Sequence, residues 1–141
     1  AERFGLIAGS PFIAFCQKKR PAANKSIVSA TAGDSVKGRR VLMVDDMIDT
    51  GGSTIGAAKK FMADGATHVD VFATHAIFSD EAETRLAESG LRIFTTNSIP
   101  RPAAYAEKHK AWLTIIPVEE LLAEAVYQAS LIGGSVSKLS V

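Results

Sequence analysis

A single cysteine, Cys16, is all the thiol chemistry this 141-residue chain carries, which excludes an internal disulfide and every multi-thiolate zinc pattern. Its place in the apolar run PFIAFC predicts a buried, inert thiol rather than a nucleophile, and suits a reducing cytosol. Charge of one sign is also missing. Sixteen Lys plus Arg against fifteen Asp plus Glu leave a formal charge of +1, so no broad field draws the chain onto nucleic acid or an anionic membrane, and any bound anion must be held locally. No apolar stretch approaches the ~20 residues of a membrane span. The opening AERFGLIAGS lacks the basic start and long apolar centre of a signal peptide, and the missing initiator methionine leads us to expect that the chain begins partway through a larger protein. Neither GxGxxG nor GxxxxGK[ST] occurs, which leaves a dinucleotide-binding turn and a P-loop unsupported. The length is that of one domain with a real core.

What is present is an alternation. Apolar runs of strand length recur at 11–16, 26–31, 40–44, 68–74, 91–96 and 112–118, and helical patterns lie between the later ones. STIGAAKKFMADG places Ile55, Ala58, Phe61 and Met62 on one stripe, opens on a Ser or Thr suited to capping, and stops at Gly65. SDEAETRLAESG repeats the plan, with Ser79 as the expected N-cap and Gly90 as the stop. A last helix over 118–132 carries Leu121, Leu122, Ala125, Val126 and Ala129 on one face, which predicts core or an oligomer contact. Strands alternating with helices imply parallel pairing, and continuous apolar strands imply covered faces. The expected fold is therefore α/β, a doubly wound, mostly parallel sheet with helices on both faces. The turn residues between SIVSAT and RVLMV allow a hairpin among the first strands. KKRPAANK, at 18–25, lacks periodicity and is expected to be a mobile loop.

The chemistry concentrates in RRVLMVDDMIDTGGST. Ligands of a parallel sheet gather beyond the carboxyl ends of its strands, and Asp45 and Asp46 fall where RVLMV runs out. Asp49, Thr50, Gly51, Gly52, Ser53 and Thr54 then enter a helix, where unpaired N–H groups, hydroxyls and the positive end of the helix dipole form a phosphate cradle. Two adjacent aspartates add nothing to a core and would repel a phosphate, so they face hydroxyl donors or a metal ion. A sugar phosphate with Mg2+ meets both demands.

These residues resemble a family. VLMVDDMIDTGGST is similar to the phosphoribosyl-diphosphate (PRPP) binding motif of the type I phosphoribosyltransferase fold. QKKRPAAN, ATHAIFSDEA, TTNSIPRP and GGSVSKL resemble, in order, segments of the ribose-phosphate pyrophosphokinases (PRPP synthetases). The resemblance implies that residues 1–141 correspond to the C-terminal, phosphoribosyltransferase-like domain of such an enzyme, without its N-terminal domain. It implies transfer of pyrophosphate from ATP to ribose 5-phosphate, giving PRPP and AMP, in a cytoplasmic homo-oligomer that uses Mg2+. Asp45 and Asp46 would accept hydrogen bonds from the ribose hydroxyls, and residues 49–54 would enclose the 5-phosphate. Ser53 precedes Thr54 where many members have Thr directly after the glycine, which leaves open which hydroxyl binds. Lys18 and Arg20 match the family's catalytic cations, with Lys19 between them a weaker match. The metal ligands stay unassigned.

His75, at a strand end, lacks the partners of a metal site. His68 and His109 are expected on the surface, and Trp112 in the core or an interface. A binding-only PRPP sensor or synthetase-associated subunit is the rival function, since no adenine site is apparent. A two-component receiver domain fails, because it needs its acid pair near the N-terminus and a Lys after the last strand, where this chain has Val118 and Glu119.

Overall fold

The computed structural model describes the backbone of residues 2–7, 9–10, 12–22 and 25–139, and the side chains of 5–7, 9–10, 12–16, 32–137 and 139. A short helix α1 (Glu2–Ile7) precedes strands β1 (Ala14–Ala22) and β2 (Lys25–Gly33). Strands and helices then alternate: β3 (Arg40–Ile48), α2 (Gly52–Ala63), β4 (His68–Ala76), α3 (Ala82–Glu88), β5 (Arg92–Thr96), α4 (Ala104–His109), β6 (Leu113–Ile116) and α5 (Glu119–Ser130). A 3-10 turn closes the chain at Val136–Leu139.

The four strands β3 to β6 form one parallel sheet in chain order, flanked by helices. Alternation along β4 shows how it is held: Val69, Val71 and Ala73 are buried, while Asp70, Phe72 and Thr74 between them are half-buried. The buried set meets α2, α3 and α4 in two clusters, one around Leu86, Ile93, Trp112 and Leu113, the other around Val36, Ala58 and Phe61. Cys16, expected to be buried, is half-buried against the second. The opposite face is less covered, and Leu42 and Ile116 stay exposed there beside Phe72 and Phe94. At the sheet margin β3 has β4 on one side only.

Several expectations change. KKRPAANK is not a loop: residues 18–22 continue β1, Lys25 opens β2, and residues 23–24 lie outside the described residues. β1 and β2 pair antiparallel with irregularities after Gln17 and Lys19, so main-chain pairing orders a segment whose side chains carry no strand pattern. The hairpin is β1–β2, and the turn after Gly33 leads instead from one sheet to the other. Ser79 is not a side-chain cap. It accepts the Ala82 N–H through its carbonyl at 3.1 Å, and α3 begins after Glu81.

In α5 no residue is buried, with Leu121 55 % and Val126 71 % exposed. Helical periodicity reports that a stripe faces one way, not what it faces. His109 is buried rather than superficial, because its ring lies against Tyr105 and edge-on to Trp112 at 4.5 and 5.4 Å. Trp112 is in the core, as expected.

Ile93 is fully buried in the main cluster. Ile93→Ala should cost about 2–5 kcal/mol by lost transfer and cavity formation, read as a lower urea midpoint at unchanged slope; a loss under about 0.5 kcal/mol, the size of a surface effect, would contradict this core.

Candidate functional site

Parallel strands deliver their carboxyl ends to one margin, and there β3 carries its acids. The strand does not stop at Val44. It runs through Asp45 and Asp46 to Ile48, because β4 stays in register alongside, Met47 opposite His75 and Ile48 opposite Ala76. Asp45 Oδ1 accepts the Asp46 N–H at 3.1 Å and Asp46 Oδ1 accepts the Met47 N–H at 2.9 Å, which fixes both carboxylates close to the main chain. Asp45 is half-buried and Asp46 exposed.

Beyond Ile48 the chain turns sharply into α2. Gly51 takes φ +75°, so handedness favours glycine, and a Cβ there would stand 3.2 Å from Leu86 Cγ and press on that side chain. Gly51 is also the helix N-cap. A Ser or Thr cap was expected, yet no side chain caps this 12-residue helix. The orphan amides of the first turn are thus left to water or a ligand, with the dipole's positive end among them.

Asp45, Ser53 and Thr54 line one groove of about 760 Å³, which continues along the outer margin of β3 toward the hairpin and Arg39. Its largest part is apolar and lies away from the acids, so only the end at Asp45 bears on chemistry. Asp46, Asp49, Thr50, Gly51 and Gly52 belong to the same strand end and turn without lining it. Thr54 is only 6 % exposed, whereas Ser53 is half-buried, which favours Ser53 as the accessible hydroxyl. Lys18, Lys19 and Arg20 follow one another on β1, and their side chains lie outside the described residues. Among the described residues no group of three or more His, Cys, Asp or Glu could hold a metal ion. His75, at the end of β4, shares a hydrogen bond with Ser98 Oγ at 2.9 Å. His68 is partly exposed and lies 3.0 Å from Asp70.

Sequence reasoning missed what seats this turn. Leu86 supports Gly51 from α3, and the connection after β4 donates N–H groups to the carbonyls of Ile48 and Asp49. A lone Leu in a helical stripe carries no motif; only the packing exposes it.

Known proteins resemble this chain in sequence and fold. The family described as phosphoribosyl synthetase-associated domain matches residues 13–139. A ribose-phosphate pyrophosphokinase of Mycobacterium leprae is 37 % identical over 141 residues, covering 99 % of this chain and 42 % of the relative. One from Synechococcus elongatus is 40 % identical over 118 residues, covering 82 % of this chain and 34 % of its own. Among solved structures, the phosphoribosylpyrophosphate synthetase of Mycobacterium smegmatis superposes with a TM-score of 0.72 at 34 % identity, covering 91 % of this chain and 40 % of that one. The chain thus spans about two fifths of the length of these relatives.

The two glycines make a paired test. Gly51→Ala should lose about 1–3 kcal/mol through strain at positive φ, whereas Gly52, with nothing nearer than Thr50 Oγ1 at 3.9 Å, should change stability by no more than about 0.5 kcal/mol as Ala. Equal melting temperatures for the two variants would contradict the seat described for Gly51.

Proposed function

The chain belongs to the phosphoribosyl synthetase-associated domain family, and from that premise we propose that it is the ribose 5-phosphate-binding part of a ribose-phosphate diphosphokinase. That enzyme transfers pyrophosphate from ATP to the anomeric hydroxyl of ribose 5-phosphate, giving PRPP and AMP. The observation that carries the reading is the groove end at which Asp45, Ser53 and Thr54 meet beside an uncapped helix start. The 5-phosphate sits over the first turn of α2, taking main-chain N–H groups and the Ser53 hydroxyl. Asp45 and Asp46 accept hydrogen bonds from the ribose hydroxyls, which fixes the sugar's facing and presents the anomeric oxygen outward. Asp49, Thr50, Gly51 and Gly52 shape the turn that closes around the phosphate.

Negative charge spreads over the phosphoryl oxygens as pyrophosphate moves, so cations do most of the chemical work. Lys18 and Arg20 supply them, Arg suited to two-point contact and Lys to a point charge. A magnesium ion would be held by one or both carboxylates of Asp45 and Asp46, whose hard oxygen donors suit it, and would supply positive charge beside the phosphates. An adenine site belongs to chain beyond these residues, as does the rest of the enzyme's length. The exposed Leu121, Leu122 and Val126 of α5 suit a subunit or domain contact in a homo-oligomer. No helix among the described residues is long and apolar enough to cross a membrane, and a cytoplasmic setting without nucleic-acid partners is the one we propose.

On this reading the 141-residue chain binds ribose 5-phosphate weakly and does not turn over. A coupled assay for AMP formation should stay at background for the chain alone, and robust turnover would overturn its assignment as one part of the active unit. In the longer enzyme, Asp45→Ala should weaken ribose 5-phosphate binding by about 2 kcal/mol or more, since hydrogen bonds to a charged group are lost; unchanged affinity in calorimetry would remove Asp45 from the site. Lys18→Ala should lower kcat by about 100-fold or more with little change in KM, as expected for a contact made in the transition state. An unchanged kcat would take Lys18 out of the mechanism.

A further inference from the structure

We infer that Arg101 is a positioning residue for the phosphate turn, acting through the connection between β4 and α3; the inference rests on residues 49–54 holding the 5-phosphate. The connection meets the turn through backbone hydrogen bonds. Ile77 N–H and Phe78 N–H donate to the Ile48 carbonyl at 3.0 and 3.2 Å, and Ser79 N–H donates to the Asp49 carbonyl at 3.2 Å. These bonds hold the exit of β3, from which Thr50 and Gly51 swing into α2.

The donors sit on strained chain. Phe78 has φ +55° and Asp80 φ +54°, a region that L side chains enter at a cost and that bulky residues keep only where their surroundings impose it. Burial of the Phe78 ring against Trp112, at 5.8 Å between centroids, is one such constraint. Arg101 is the other. Its Nη2 donates to the carbonyls of Ala76 at 2.7 Å and Ile77 at 2.8 Å, the two peptide units that aim the Ile77 and Phe78 amides. With Nη2 committed to main chain, Arg101 acts on the turn through the connection rather than on the ligand.

The arginine is itself fixed. Pro100 and Pro102 flank it, and prolines restrict both their own φ and the residue before them. The guanidinium carbon stands 5.0 Å from the Tyr105 ring centroid. Tyr105 in turn donates its hydroxyl to Glu83 Oε1 at 2.5 Å, tying α4 to α3. Burial first, then that hydrogen bond and the Glu83 charge, raise the Tyr105 phenol far above its usual range, while Arg101 acts in the opposite sense; Tyr105 therefore stays a donor throughout the working pH range. α3 supports the turn a second time, through Leu86 beneath Gly51. Arg101, the connection and α3 thus form one frame around a turn that meets its ligand with main-chain atoms.

The test uses the 141-residue chain, with Arg101→Met keeping the stem and removing the donors, and Arg101→Lys keeping a charge and part of the donor set. Ribose 5-phosphate binding is read by calorimetry, and amide hydrogen exchange is read residue by residue. We expect Arg101→Met to weaken ribose 5-phosphate about tenfold or more, the effect of a small misplacement of a binding group. Exchange should speed up at residues 77–79 and 51–54 and stay unchanged at Ile93 and Leu113, as local opening does, with Arg101→Lys intermediate in both readouts. Wild-type affinity in Arg101→Met overturns the inference and leaves the proposed function standing. If wild type itself binds no ribose 5-phosphate, the proposed function falls and exchange alone decides: coupled acceleration at 77–79 and 51–54 supports the frame, and unchanged rates at 51–54 overturn it. Should Arg101→Met fail to fold, Arg101→Lys is judged by the same two criteria.

Discussion

Gly51 holds a left-handed backbone that L side chains rarely adopt, and Leu86, fully buried in α3, stands close beneath it. That contact sets where the chain leaves β3 and where α2 begins. If the turn rose away from Leu86, the uncapped first turn of α2 would no longer sit beside Asp45, and the acid and the helix start would not share a groove. Packing in the main cluster is therefore continuous with the geometry of the sheet margin.

A parallel sheet suits this arrangement. Its strands end together on one side, so the acids of β3, the His75–Ser98 pair and the β4–α3 connection all arrive at that margin without special folding. The cost is backbone strain at Phe78 and Asp80, placed where the chain must double back to hand its amides to the neighbouring turn. Strain of that kind persists only where the surroundings over-determine it. Here they are a buried aromatic pair and a guanidinium bonded to the carbonyls of Ala76 and Ile77.

Much of this was legible in the residues. Strand-length apolar runs alternating with helical patterns pointed to the parallel core, and β4 turns Val69, Val71 and Ala73 into it. The acid pair and the Thr-Gly-Gly-Ser-Thr turn marked the candidate site, because two adjacent aspartates add nothing to a core. What the sequence hid was non-local. KKRPAANK lacks strand periodicity, and main-chain pairing with β2 orders most of it. His109 reads as superficial until Tyr105 and Trp112 enclose it. The α5 stripe has a core helix's spacing without a core against it. Arg101 matters through carbonyls some 25 positions away in sequence, a relation no local pattern encodes.

The position of β3 has a further implication. It is an outermost strand with an inner strand's composition, VLMV, and such a margin offers a template on which a stranger's backbone can crystallise into a ladder. Charges stand at both ends of its greasy stretch, Arg40 before and Asp45 with Asp46 after. Those charges act as gatekeepers against fibre-like association. Neutralising them would leave the greasy stretch of an unpaired strand margin with nothing at its ends to repel a second backbone.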